Sequence, residues 1–131
     1  MFVDASAMCA ILLNEPEAEI LAGKLADAPR RLTSAVAVFE TVRAVMREHG
    51  LDPHEARFVV ARFLSATEIA TVAIGEAERD MALEAMSRFG KGRHPAKLNM
   101  GDCFAYACAR TNGEPLLFKG DDFGQTDITA A

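Results

Sequence analysis

Met1-Phe2-Val3-Asp4-Ala5-Ser6-Ala7-Met8-Cys9-Ala10-Ile11-Leu12-Leu13-Asn14 is the stretch on which the fold turns. The first three residues are a short apolar run of β-preferring type, ended by Asp4. A helical pattern follows at once, over 6–14. A strand that feeds straight into a helix, with no hairpin turn signal, starts a crossover to a parallel neighbour.

The rest of the chain repeats this alternation. A second helix is predicted over 16–28, with Pro16 in its first turn. Leu32 and Thr33 form a short strand. Thr33 or Ser34 caps a helix that runs to about His49 and stops at Gly50. Asp52 caps another, from Pro53 to about Leu64. Residues 68–74 alternate like a strand, and 75–89 read as a helix. A basic loop rich in Gly and Pro spans 90–97. Asn99 opens a helix that ends near Gly113. Residues 115–118 form a strand, KGDDF a turn, and a last short strand is placed near Asp127-Ile128. The pattern predicts one α/β domain over 1–131 with a mostly parallel sheet. Ligands of such sheets bind beyond the carboxyl ends of the strands. Residues after MFV and after PLLF should therefore meet.

Composition narrows the class. The chain has 131 residues, 50% of them hydrophobic and 25% charged, which suits a folded domain with its own core. Cys9, Cys103 and Cys108 lie in apolar runs and read as reduced core thiols, which suits the cytoplasm. No secretory signal and no membrane-length apolar run is present. The net charge of −5 disfavours a general nucleic-acid binder.

Several carboxylates sit in apolar surroundings. Asp4 stands at the tip of a buried strand, where it must be solvated, paired or metal-bound, or cap the next helix. Asp102 is the only acid between Glu84 and Glu114, and precedes the apolar run 103–109. Its placement three residues after Asn99 also fits a capping box. Asp121 and Asp122 occupy a turn expected to open on the same edge as Asp4. Glu40 projects away from a core side centred on Phe39, Val42, Val45 and Met46. Its periodicity suggests only a surface ion pair with Arg43 or Arg47.

No phosphate-binding glycine loop, dinucleotide fingerprint, hydrolase elbow or zinc pattern occurs. His49, His54 and His94 read as surface residues. Scattered carboxylates remain, and oxygen-only ligands suit Mg²⁺ or Mn²⁺. Such ions, with no nucleophilic side chain, suggest phosphodiester hydrolysis. A phosphotransfer domain would want Asp-x-Asp after the first strand, but position 6 is serine. A receiver domain would want its acid pair near the first strand.

The segments FVDASA, AVFETVRA, NMGDCFAYACA and LLFKGDDFGQTDI together resemble PIN-domain ribonucleases, from Phe2 to Ile128. The match is best to the VapC type, the toxin half of a bacterial toxin–antitoxin pair. The resemblance implies a three-layer α/β/α sandwich with a mostly parallel central sheet. It implies metal-binding, catalytic acids at Asp4, Glu40, Asp102 and one acid of the KGDDF turn, with Asp122 favoured over Asp121. For Glu40 it overrides the local reading. Ser6 matches a small polar residue beside the site, and Asn99 either orients the site or caps its helix.

The implied activity is Mg²⁺-dependent cleavage of cellular RNA, with structured RNA such as tRNA expected and Mn²⁺ a substitute. The implied partners are a VapB-type antitoxin and a second copy of the chain, giving a homodimer and a toxin–antitoxin hetero-oligomer, with no membrane. An interaction module of the same fold without catalysis is the alternative. Residues 85–101 contain no acid but carry Arg88, Lys91, Arg93 and Lys97, which read as phosphate contacts or as a solvated loop. Arg30 and Arg31 form a smaller basic patch. With four acids assigned to one metal, the remaining charge moves from −5 to −1. The distribution of charge thus matters more than its sum.

Overall fold

The computed structural model describes residues 1–131. Two pairs of neighbouring apolar residues organise the sheet. Strand β1 (Phe2–Val3) lies beside β4 (Leu116–Leu117), with Phe2 level with Leu116 and Val3 with Leu117. Successive strand residues point to opposite faces. Phe2 and Leu116 accordingly join one core, while Val3 and Leu117 join another on the far side. Strands β1 and β4 are thus buried on both faces, as strands of a helix-covered parallel sheet are.

On the Phe2 side pack α5 (Glu76–Phe89) and α6 (Met100–Thr111). On the Val3 side pack α1 (Ala5–Leu12), α2 (Ala18–Asp27) and the start of α3 (Ala35–His49). Helix α4 (Pro53–Ala66) closes a third, small cluster against α3 through Val45, Ala56 and Val60. The result is the expected three-layer α/β/α sandwich.

Strands β2 (Leu32–Ser34) and β3 (Ala70–Val72) complete the sheet, in the order β3-β2-β1-β4 and wholly parallel. The chain steps from β1 to β2 to β3, then returns through α5 and α6 to place β4 on the other side of β1. The strand order therefore reverses between β1 and β4. A ligand crevice belongs beyond the carboxyl ends at such a point.

Most predicted elements are present, with boundary shifts of a few residues. The strand predicted over 68–74 is reduced to Ala70–Val72; on its N-terminal side Glu68 takes a left-handed φ of 53°, which an extended strand does not include. No strand forms at Asp127-Ile128. The backbone reaches β4 only as a single bridge from Ala130 to Leu116, because Asp127 is drawn to Tyr106 and Arg88 instead. Cys9 is half-buried, Cys103 and Cys108 are buried, and all three are free thiols. No helix is long and apolar enough to cross a membrane.

Candidate functional site

The carboxyl ends of β1 and β4 are joined by one serine. Asp4 follows β1 directly and caps α1: its Oδ2 accepts from the Ser6 amide at 2.9 Å and the Ser6 hydroxyl at 2.5 Å. The Ser6 hydroxyl in turn accepts from the Lys119 amide at 3.0 Å, in the turn after β4. Ser6 thus ties the Asp4 carboxylate to the segment that carries Asp121 and Asp122. Both bonds to Asp4 fall on Oδ2, so Oδ1 is left for another partner. Asp4 is 4% exposed. Burial pushes its carboxyl up, and the Ser6 hydrogen bonds only partly offset this.

Asp102 stands in the first turn of α6 in a reciprocal capping box. Its Oδ2 accepts from the Asn99 amide at 2.8 Å, and the Asn99 side-chain oxygen accepts from the Asp102 amide at 3.1 Å. Asn99 therefore caps the helix with its side-chain oxygen and holds the Asp102 carboxylate with its backbone amide. The Asp102 carboxyl is pushed up to about 6, by burial first and then, against the Asn99 hydrogen bond, by the charges of Asp4 and Asp122. A carboxylate feels charges this way only at short range.

Glu40 reaches the same place from α3. The predicted core face of that helix is displaced. Ala37, Thr41 and Val45 are the buried residues, while Phe39 is 64% exposed. Thr41 is buried because its hydroxyl donates to the Ala37 carbonyl at 2.8 Å, which satisfies it within the helix. The displaced face leaves Glu40 half-buried, with its carboxylate against Gly101 of α6. Burial, then Asp4, then Asp102 push its carboxyl up, opposed by Arg43. No protein group donates a hydrogen bond to it.

The turn after β4 supplies the last acid. Asp122 precedes a 3-10 turn, Phe123–Gln125, whose Phe123 is buried against Phe118. The charge of Asp122 helps raise the Asp102 carboxyl, which puts Asp122 within electrostatic reach of the cluster. Both side chains are exposed.

Carboxylates from four separate segments thus feel one another's charge: Asp4 and Asp102 act on Glu40, and Asp4 and Asp122 act on Asp102. Their donor set is oxygen only, which fits a hard divalent cation. Their mutual repulsion, visible at Glu40 and Asp102, is what such a cation relieves. They form a loose ring: no three Asp, Glu, His or Cys side chains already lie close enough to hold one ion. Asp4 and Asp102 each spend an oxygen on a helix cap.

The basic residues divide. Lys91, Arg93 and Lys97 are exposed, make no ion pair, and lie on the loop that leads into α6. That loop is anchored by buried Ala96 and Leu98 and by the bridge from Gly90 to Leu98. Arg88 is committed elsewhere. It pairs with Asp127 at 2.9 Å and lies over the Phe89 ring at 4.5 Å. Asp127 also accepts from the buried Tyr106 hydroxyl at 2.7 Å. This network fastens the tail of the turn to α5 and α6. Arg30 and Arg31 do not form a free patch: Arg30 pairs with Glu114, and Arg31 donates to the carbonyls of Ala26, Ala28 and Thr67. His94 is not a plain surface residue. Its ring packs edge-on to Phe89 at 5.2 Å, and its Nδ1 accepts from the Ala96 amide.

Sequence reasoning missed Gly101 and Asp127. A glycine in the first turn of a helix, next to a carboxylate, was the available signal for the first. The Thr-Asp after the turn was the signal for the second.

The PIN domain family model matches residues 1–128. A ribonuclease VapC of Mycolicibacterium smegmatis is 43% identical over 130 residues, which span 99% of this chain and 98% of that protein. A VapC ribonuclease of Rhizobium meliloti is 42% identical, over 97% of this chain and 98% of the other. Ribonuclease VapC30 of Mycobacterium tuberculosis is 38% identical, over 98% and 95%. Among solved structures, VapC20 of Mycobacterium tuberculosis, a sarcin–ricin loop cleaving toxin, superposes with a TM-score of 0.77 at 19% identity, covering 99% of this chain and 97% of that one. Fold and relatives agree, and the chain belongs to the PIN domain family, in its VapC branch.

Proposed function

We propose that this protein is a Mg²⁺-dependent endoribonuclease toxin that cuts structured cellular RNA and is restrained by a VapB-type antitoxin. The observation that supports the reading most is that Asp4, Glu40 and Asp102 lie within reach of one another's charge, with Asp122 acting on Asp102, near the point where the strand order reverses. Helix capping accounts for Asp4 and Asp102, but nothing in the fold alone calls for Glu40 and Asp122 beside them. The curated relatives are named ribonucleases, which supports the same reading.

These four residues would hold the metal, and Mn²⁺ would suit the same oxygens. Bound there, the ion would supply charge neutralisation and an activated water for in-line hydrolysis of a phosphodiester. Ser6 holds the Asp4 carboxylate through Oδ2, which leaves Oδ1 for the ion. Asn99 does the same for Asp102. Lys91, Arg93 and Lys97 take phosphates of the bound strand and draw RNA towards an otherwise acidic rim. The reaction needs no nucleophilic side chain and no histidine pair. It leaves a 5′-phosphate and a 3′-hydroxyl. Homodimerisation and assembly with the antitoxin complete the reading.

The test is cleavage of total tRNA and of a sarcin–ricin loop RNA, read by sequencing the new 5′ ends. Discrete cuts bearing 5′-phosphates are expected with Mg²⁺, and none with EDTA or with Asp4→Asn. Cleavage that persists in EDTA would sink the proposal. Tight antitoxin binding without cleavage of any RNA would point to an interaction module instead.

A further inference from the structure

We propose that Gly101 is a positioning residue, whose missing side chain is the berth in which the Glu40 carboxylate lies against the first turn of α6. A Cβ built on Gly101 would collide with Oε1, Oε2 and Cδ of Glu40. All three nearest atoms belong to that one carboxylate.

The backbone does not require glycine at this position. Gly101 lies within regular helix and outside the left-handed region, where alanine is the better helix former. Gly23, within α2, is the contrast: a Cβ there would meet nothing within 4 Å. Capping does not explain Gly101 either, since the cap of α6 is made by Asn99 and Asp102. What remains is space. Glycine lets α3 deliver an acid to the helix start, where the first amides lack intrahelical acceptors and the dipole favours negative charge. Gly101 thereby sets the separation of Glu40 from its neighbour Asp102.

The obstructing atoms are the far end of a flexible side chain, so alanine is accommodated by displacing Glu40, with the helix left in place. The inference is a separation of effects: Gly101→Ala disturbs the acid cluster without weakening the fold. It rests on the reading of Glu40 as a metal ligand, and the experiment keeps the two apart.

The ¹³C carboxyl resonances of Glu40 are recorded in metal-free wild type and Gly101→Ala, then Mn²⁺ affinity, RNA cleavage and Tm are measured. The Glu40 resonance is expected to move and Tm to hold or rise. Mn²⁺ binding should weaken by about tenfold or more, the scale of a lost orienting contact. Glu40→Asp, one methylene shorter, is combined with Gly101→Ala as the rescue. The double variant should bind Mn²⁺ better than Gly101→Ala alone. Gly23→Ala is the control and should change neither binding nor cleavage. An unmoved Glu40 resonance, a fall in Tm, or losses that simply add in the double variant would overturn the role of Gly101. A Glu40 resonance that moves while wild type binds no Mn²⁺ would uphold the berth and overturn the metal reading.

Discussion

The acid cluster has two halves that are built differently. Asp4 and Asp102 cap helices, and each gives one oxygen to backbone amides. Glu40 and Asp122 receive no hydrogen bond from the protein. The first pair has a structural reason to exist whatever the site does, while the second pair has none. Function is therefore written most clearly in Glu40 and Asp122, although the fold holds Asp4 and Asp102 more firmly.

The largest expected effect tests whether the capped half is also functional. Asp4→Asn and Asp102→Asn each keep a side-chain oxygen for the cap. RNA cleavage by either should fall by about 100-fold or more, as when a group facing developing charge is removed. Loss of stability without loss of kcat would reduce both to caps. Glu40→Gln sharpens the other side. Cleavage should fall comparably, yet the metal-free Tm should rise, because an ionised group raised by burial and repulsion opposes folding. Parallel losses of activity and Tm would contradict the division. Asp122→Asn should cost about tenfold in metal affinity, and Asp121→Asn should leave it nearly unchanged. Equal losses would return the two to equivalence.

Two smaller effects are thermodynamic. Asn99→Ala should cost about 1 kcal/mol in denaturant unfolding, the ordinary worth of a helix cap. The pH effect has a definite sign. Asp102 titrates near 6 when folded, above the roughly 3.9 of an unfolded aspartate. The folded state therefore binds the proton first. Its contribution to stability rises as pH falls through about 6 towards 4, and is lost as pH rises. Stabilisation by Mg²⁺ should shrink over the same interval, since protons compete for the carboxylate. Melting curves at pH 7 and pH 5, with and without Mg²⁺, check both.

This asymmetry also explains what was legible in the sequence. Asp4 and Asp102 stand at transitions, one from strand to helix and one from loop to helix, where a single acid before an apolar run is visible locally. Glu40 was not legible from periodicity. A hydrophobicity pattern assigns Phe39 to the core before Thr41, yet a helix can bury a threonine whose hydroxyl is satisfied by its own backbone. That exchange rotates the buried face of α3 and moves Glu40 from surface to crevice. Only the family resemblance located it. The role proposed for Gly101 was hard to read for a related reason: the glycine itself stands out in a first turn, but the volume it leaves to Glu40 exists only once α3 and α6 are packed. The choice between Asp122 and Asp121 depends on the direction of a turn, which local sequence does not encode; the charge of Asp122 felt at Asp102 favours Asp122. The parallel sheet, by contrast, was readable throughout, because strands and helices alternate without a hairpin.

The pairing of β1 with β4 has a consequence for assembly. The two residues of the Ser6–Lys119 hydrogen bond stand 113 positions apart in the chain. Closing so long a loop costs conformational entropy that local contacts do not return. The bond is therefore sustained by the parallel pairing of β1 with β4 rather than by its own neighbourhood. Loosening that pairing releases the turn that carries Asp121 and Asp122 from the Asp4 side, so the acid cluster reports on the integrity of the whole sheet.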